Sequence, residues 1–70
     1  MRIVKVTKEP VELYKILKFE GLVSSGGEAK NVVAEGLVSV NGAVETRKRK
    51  KIVAGDIIKF ADEEFQITLI

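Results

Sequence analysis

Five consecutive cations, Arg47-Lys48-Arg49-Lys50-Lys51, close the stretch VNGAVETRKRKK that begins at Val40. Such a run can neutralise a row of phosphates, and the release of their counterions favours binding. It can equally be a solvated strand edge whose charge discourages pairing with another chain. Read alone, the run leaves these two possibilities open. A membrane-surface role would require an amphipathic helix or a lipidation signal beside it, and neither is visible. A second candidate is Ser25-Gly26-Gly27, expected at a helix start, where free amides attract anions. Glu28 competes for those amides, so plain capping is the favoured reading. The Lys-Ser/Thr ending of a phosphate-binding loop is missing. Lys30, one turn further, gains interest only if it faces the same side as the run.

Other chemistry is hard to build from this chain. It has no His and no Cys, which removes the commonest general base, thiol nucleophiles and soft metal ligands. Asp62, Glu63 and Glu64 are adjacent on an expected turn and cannot frame a substrate between them. The expectation is a protein without catalytic activity, cofactor, metal or small-molecule substrate. The aromatic residues are Tyr14, Phe19, Phe60 and Phe65. None is beside the run in sequence, so base stacking is not expected there, and phosphate contacts remain.

Seventy residues make at most one domain. Residues 1–51 carry 11 basic and 6 acidic side chains, and residues 52–70 carry 1 and 4, which predicts a basic and an acidic side. The N-terminus lacks the apolar core of a signal peptide and no apolar run is long enough to span a membrane, so the cytosol is the expected setting.

The periodicity predicts the elements that must hold the candidates. Ile3, Val4 and Val6 suggest a short strand. Thr7 to Pro10 looks like a helix start, with Glu9 and Glu12 near the positive end of the dipole. Leu13, Ile16 and Leu17 have helical spacing, and Gly21 stops that helix, with Leu22 folding back on Leu17. Ser25…Glu28 fits a capping box for a second helix with Ala29, Val32 and Val33 on its apolar face. Gly36 stops it, with Leu37 on Val32. The repeated EGLVS at 20–24 and 35–39 is thus a helix stop used twice, not an internal repeat. Asn41-Gly42 predicts a tight hairpin. Ala54-Gly55-Asp56 and Asp62-Glu63-Glu64 separate further strands, with Ile58 and Phe60 on one face and Phe65, Ile67 and Leu69 on another. The order predicts an α+β fold with two helices packed on a small, mostly antiparallel β-sheet.

The arrangement Leu13…Leu17…Gly21, Ser25…Ala29-Lys30…Glu35-Gly36-Leu37-Val38-Ser39-Val40-Asn41-Gly42 and Val53-Ala54-Gly55-Asp56-Ile57-Ile58 resembles a known family. It is the RNA-binding domain named after ribosomal small-subunit protein four, also called the αL motif. The resemblance covers about residues 11–60 and is nearest to small free-standing members. It implies recognition of structured RNA, ribosomal or transfer RNA, by a basic surface shared between the second helix and the hairpin region. Carried over by position, that surface involves Ser25, Lys30, Asn41, Gly42 and Arg47, Lys48, Arg49, Lys50 and Lys51. The family often has Arg directly after the second-helix Ser. Gly26 stands there instead, which shifts weight onto the 47–51 run. A different class of function, an adaptor docking an acidic protein through the run, is the alternative.

Overall fold

The computed structural model describes residues 1–70. In chain order the elements are β1 (Arg2–Val6), β2 (Val11–Glu12), α1 (Leu13–Phe19), α2 (Gly26–Ala34), β3 (Val38–Val40), β4 (Ala43–Val44), β5 (Lys51–Ile52), β6 (Ile57–Phe60) and β7 (Glu63–Leu69). One sheet has the order β1-β7-β6-β3-β4, and β2 and β5 form a separate two-stranded ladder. Only the β1–β7 pair is parallel. The two helices pack on this mostly antiparallel sheet, as the sequence pattern requires.

The core follows the predicted faces except at Leu69, which is exposed at the end of β7. Leu13, Ile16 and Leu17 of α1 and Ala29 and Val33 of α2 are buried with Val38, Ile58, Phe65 and Ile67 from the sheet. Each large apolar side chain removed from water contributes about 1.5–3 kcal/mol. No polar or charged side chain is buried among them, so the charged groups all remain available at the surface.

Both helices end as their glycines predict. Gly21 (φ 72°) and Gly36 (φ 78°) are left-handed. Leu22 N–H donates to Leu17 O and Gly21 N–H to Lys18 O, and Leu37 to Val32 with Gly36 to Val33 repeats the pattern. These paired bonds satisfy carbonyls that the helix leaves free. Leu22 packs against the core, but the Leu37 side chain is 53% exposed, so the second stop rests on backbone bonds alone.

Two expectations are corrected. Thr7 to Pro10 does not start a helix; α1 begins at Leu13. Val11 and Glu12 instead pair with Ile52 and Lys51, and the Glu9 carboxylate accepts from Ala54 N–H at 2.6 Å. Long-range pairing outweighs the local helix signals there. Glu63 and Glu64 lie within β7, and the connection is only Ala61-Asp62. Of the basic run, only Lys51 is in a strand.

The Asn41-Gly42 turn joins β3 to β4 with positive φ at both residues (53° and 86°), which matches the right-handed twist of the strands. Asn41 also braces the hairpin against the Ala54–Asp56 turn. Its Nδ2 donates to Asp56 Oδ1 (3.0 Å) and its Oδ1 accepts from Ile57 N–H (2.8 Å). Asn41→Ala removes both bonds and places at positive φ a residue that tolerates it less well than Asn, which costs about 1–2 kcal/mol. Thermal unfolding should show a Tm lower by roughly 4–8 °C per kcal/mol, and an unchanged Tm would contradict the bracing role.

Candidate nucleic-acid interface

The first amides of any helix lack intrahelical partners, and the N-cap residue of α1, Glu12, offers no side-chain bond to them. Main-chain carbonyls of the basic run fill that place. Leu13 N–H donates to Lys50 O at 3.0 Å and Tyr14 N–H donates to Lys48 O at 3.1 Å. Lys50 N–H donates in turn to Arg47 O at 3.1 Å, closing a turn. The partial negative charge of the two carbonyls meets the positive end of the helix. The run is therefore a turn clamped to the start of α1. Its main chain is committed to the fold while its side chains point away from the core.

The clamp brings an aromatic ring beside the run, contrary to the reading by sequence proximity. Tyr14 is half-buried. Lys30 Nζ lies 4.8 Å from its ring centroid and Arg49 Cζ 6.0 Å. Such contacts are worth about 0.5–1 kcal/mol each at exposed sites. They hold a cation of α2 and a cation of the run over one ring. The start of α2 sits on the same surface, since a Cβ on Gly26 would lie 3.9 Å from both Tyr14 Cε2 and Lys18 Cδ. That spacing is ordinary van der Waals contact, so the start of α2 packs close against Tyr14 and Lys18.

The individual candidates differ in how free they are. Ser25 is a cap: its Oγ accepts from Glu28 N–H at 3.1 Å. Glu28 reaches back one residue further than a standard capping box, with Oε1 accepting from the Ser24 amide (2.6 Å) and hydroxyl (2.7 Å). These bonds, the amide one foremost, hold the Glu28 carboxyl below its ordinary range. Asn41 is occupied by the brace described above. No hydrogen bond or ion pair joins the Asn41-Gly42 turn to the Arg47–Lys51 turn.

Within the run, Arg47 is gripped by Glu45 through Nε (2.8 Å) and a terminal nitrogen (3.1 Å). Arg49 lies 3.9 Å from Glu12, which also holds Lys15 at 3.2 Å. Lys48, Lys50, Lys51 and Lys30 have no carboxylate within 4.0 Å. The unpaired cations are thus the lysines. Sequence reasoning missed Tyr14 and Lys18, whose nearness to Lys30 and Gly26 depends on helix packing. It also missed Glu45, for which the Glu-x-Arg spacing was a usable signal.

With this geometry in place, comparison with known proteins is informative. The S4 domain family model matches residues 4–68. The chain belongs to the S4 domain family. The match takes in the second half of β1 and most of β7, beyond the 11–60 span of the motifs. The chain is 56% identical over 57 residues, 81% of each protein, to the Escherichia coli (strain K12) protein named "Putative RNA-binding protein YbcJ". The Shigella flexneri protein "Uncharacterized protein YbcJ" gives the same identity and coverage. The solution structure of E. coli YbcJ, described as revealing an αL motif involved in RNA-binding, superimposes with a TM-score of 0.74 at 51% identity. The overlap covers 97% of this chain and 87% of that one. Two helices on a mostly antiparallel sheet are thus the αL arrangement of this S4 domain.

The Glu45–Arg47 pair gives a pH-dependent prediction. Bonds from the Arg47 side chain, then its amide, lower the Glu45 pKa from 4.5 to about 2. A depressed carboxyl keeps its contact above its unfolded pKa and loses it as pH falls through the folded one. Glu45 should therefore stay ionised and bound to Arg47 from neutral pH to below pH 4.5. Carboxyl-carbon NMR across an acid titration should place its midpoint near 2; a midpoint near 4.5 would show that the pair does not form in solution.

Proposed function

We propose that this S4 domain is a non-catalytic RNA-binding module that recognises structured RNA, of ribosomal or transfer type, through the basic surface around Tyr14. The reading is supported by one observation above others: the turn clamped to α1 brings Arg49 to the ring that also holds Lys30 of α2. Cations from two elements thereby share one surface, as contact with a folded phosphate backbone requires. The RNA-binding names of the YbcJ relatives point the same way.

The mechanism is charge neutralisation by a preorganised surface. The clamp fixes the backbone of the run before RNA arrives, which limits the ordering cost of binding. Lys48, Lys50 and Lys51 bring ammonium groups without internal partners, and Lys30 and Arg49 add a pair oriented by Tyr14. The Tyr14 ring orients these cations and is not a free stacking platform. Recognition then rests on the spacing of phosphates in a folded RNA, with little reading of base identity.

The test is salt-dependent binding to a structured RNA. With about four or five phosphates engaged, the slope of log affinity against log salt should be roughly −3 to −4.5. Lys48→Glu with Lys50→Glu should weaken binding roughly tenfold or more and flatten the slope by about 2, since each lysine accounts for about one phosphate. The helix clamp uses main-chain atoms, so stability should change little. Glu45→Gln, which frees Arg47, should strengthen binding a few-fold. Salt-independent affinity, or a double lysine variant that binds as well as the parent, would rule the mechanism out.

A further inference from the structure

A second basic surface lies around α1 from the first. Tyr14 and Lys18 form the helix stripe that faces the start of α2. Lys15 and Phe19, each one residue further along, form the neighbouring stripe. They line a cleft of about 630 Å³ between α1, β1 and the segment leading into β2. Lys5, Lys8 and Lys51 also line it, and its apolar floor includes Ile16.

The charge of this cleft is not balanced internally. Its two carboxylates are both engaged: Glu12 with Lys15 and Arg49, and Glu20 with Arg2 at 3.0 Å. Lys5, Lys8 and Lys51 have no carboxylate within 4.0 Å. At the rim, Phe19 is 69% exposed, and the core packs without it. An exposed ring beside unpaired ammonium groups is the combination that holds single-stranded nucleic acid, by base stacking and phosphate contact. The Tyr14 surface lacks this combination, because its ring already holds Lys30 and Arg49.

We propose that this cleft takes an unpaired nucleotide segment flanking the structured RNA, with a base stacked on Phe19 and its phosphates on Lys5, Lys8 and Lys51. The proposal rests on the RNA-binding reading above. Lys51 makes the two surfaces continuous: it ends the clamped run and, opposite Glu12 in the β2–β5 ladder, lines the cleft. The acidic group at that junction, Glu12, is paired with Lys15 and Arg49, so a strand leaving a helix bound at Lys48 and Lys50 meets it already neutralised. The division of labour is by chemistry, with duplex phosphates on the Tyr14 face and a flexible strand on the Phe19 face. An acidic extended peptide is the competing occupant, but a peptide gives no reason for the exposed ring to stand among the lysines.

The experiment compares two RNA hairpins, one blunt-ended and one with unpaired adenosines at both ends, long enough to follow the 30 Å length of the fold. Binding is measured for the full chain, for Phe19→Ala and for Lys5→Gln with Lys8→Gln. The tailed hairpin should bind the parent roughly tenfold tighter than the blunt one, as one stacked base gives. Both variants should lose that advantage while keeping parental affinity for the blunt hairpin and parental Tm. Equal affinity of the two hairpins for the parent, with the blunt one binding well, overturns the cleft proposal and leaves the RNA-binding reading intact. Failure of both hairpins to bind overturns both. A poly-glutamate peptide that binds the parent, binds Lys5→Gln with Lys8→Gln more weakly and is displaced by neither hairpin would overturn the proposal and assign the cleft to a protein partner.

Discussion

The Leu13 and Tyr14 amides have no partner within α1, and the carbonyls of Lys50 and Lys48 complete them. This exchange is the constraint on which the candidate surface depends. The helix gains its missing cap, and the most highly charged segment of the chain gains a fixed backbone. Five adjacent cations would otherwise repel one another into an extended, mobile loop. Here their mutual repulsion acts on side chains only, because the main chain is held by bonds that do not involve charge on either side chain. The short β2–β5 ladder fastens the same junction from the other side, through Val11–Ile52 and Glu12–Lys51.

Acidic residues moderate that charge without cancelling it. Glu45 and Glu12 take up the two arginines of the run, and leave its lysines unpaired. An arginine held by two bonds to a carboxylate is a pre-shaped fork whose release to phosphate exchanges one anion for another. Lysine is a point charge on a flexible stem and adapts to whatever phosphate spacing it meets. The surface therefore combines adaptable contacts in the lysines with contacts that open only against competition. At the start of α2, the Glu28 carboxylate accepts from the Ser24 amide and Ser25 Oγ accepts from the Glu28 amide, so a negative charge already sits at this helix end. That carboxylate repels a phosphate, so on the proposed reading phosphate recognition falls to side chains.

Features set by local backbone preference were legible in the sequence. Gly21 and Gly36 stop helices where left-handed backbone is needed, Asn41-Gly42 turns a hairpin, and Ser25 caps α2. The apolar faces of both helices and of β6 also followed from spacing, as did Phe65 and Ile67 of β7, whereas Leu69 in the same alternation is exposed. What the sequence hid was set by long-range pairing. Pro10 and Glu12 suggested a helix start, but Val11 and Glu12 were claimed by Ile52 and Lys51, some 40 residues away in sequence. For the candidate site, the run and Lys30 were visible as charges, and their convergence was not. Tyr14 stands 35 residues before Arg49 in sequence and beside it in space, so a search for aromatics within the run could not find it. Asn41 shows the opposite limit: a position matched to a binding motif proves to be occupied by a structural bond to Asp56.

On the proposed reading, RNA contacts one continuous surface built where the basic turn is clamped to α1. Amide NMR of the isotope-labelled chain during titration with a structured RNA tests it most directly. The account predicts that the largest shifts fall on Leu13, Tyr14, Lys30 and residues 47–51, with the Ala61–Glu64 end of the β6–β7 hairpin unperturbed. Shifts concentrated on the β6–β7 hairpin, with Tyr14 and the 47–51 turn unmoved, would contradict it.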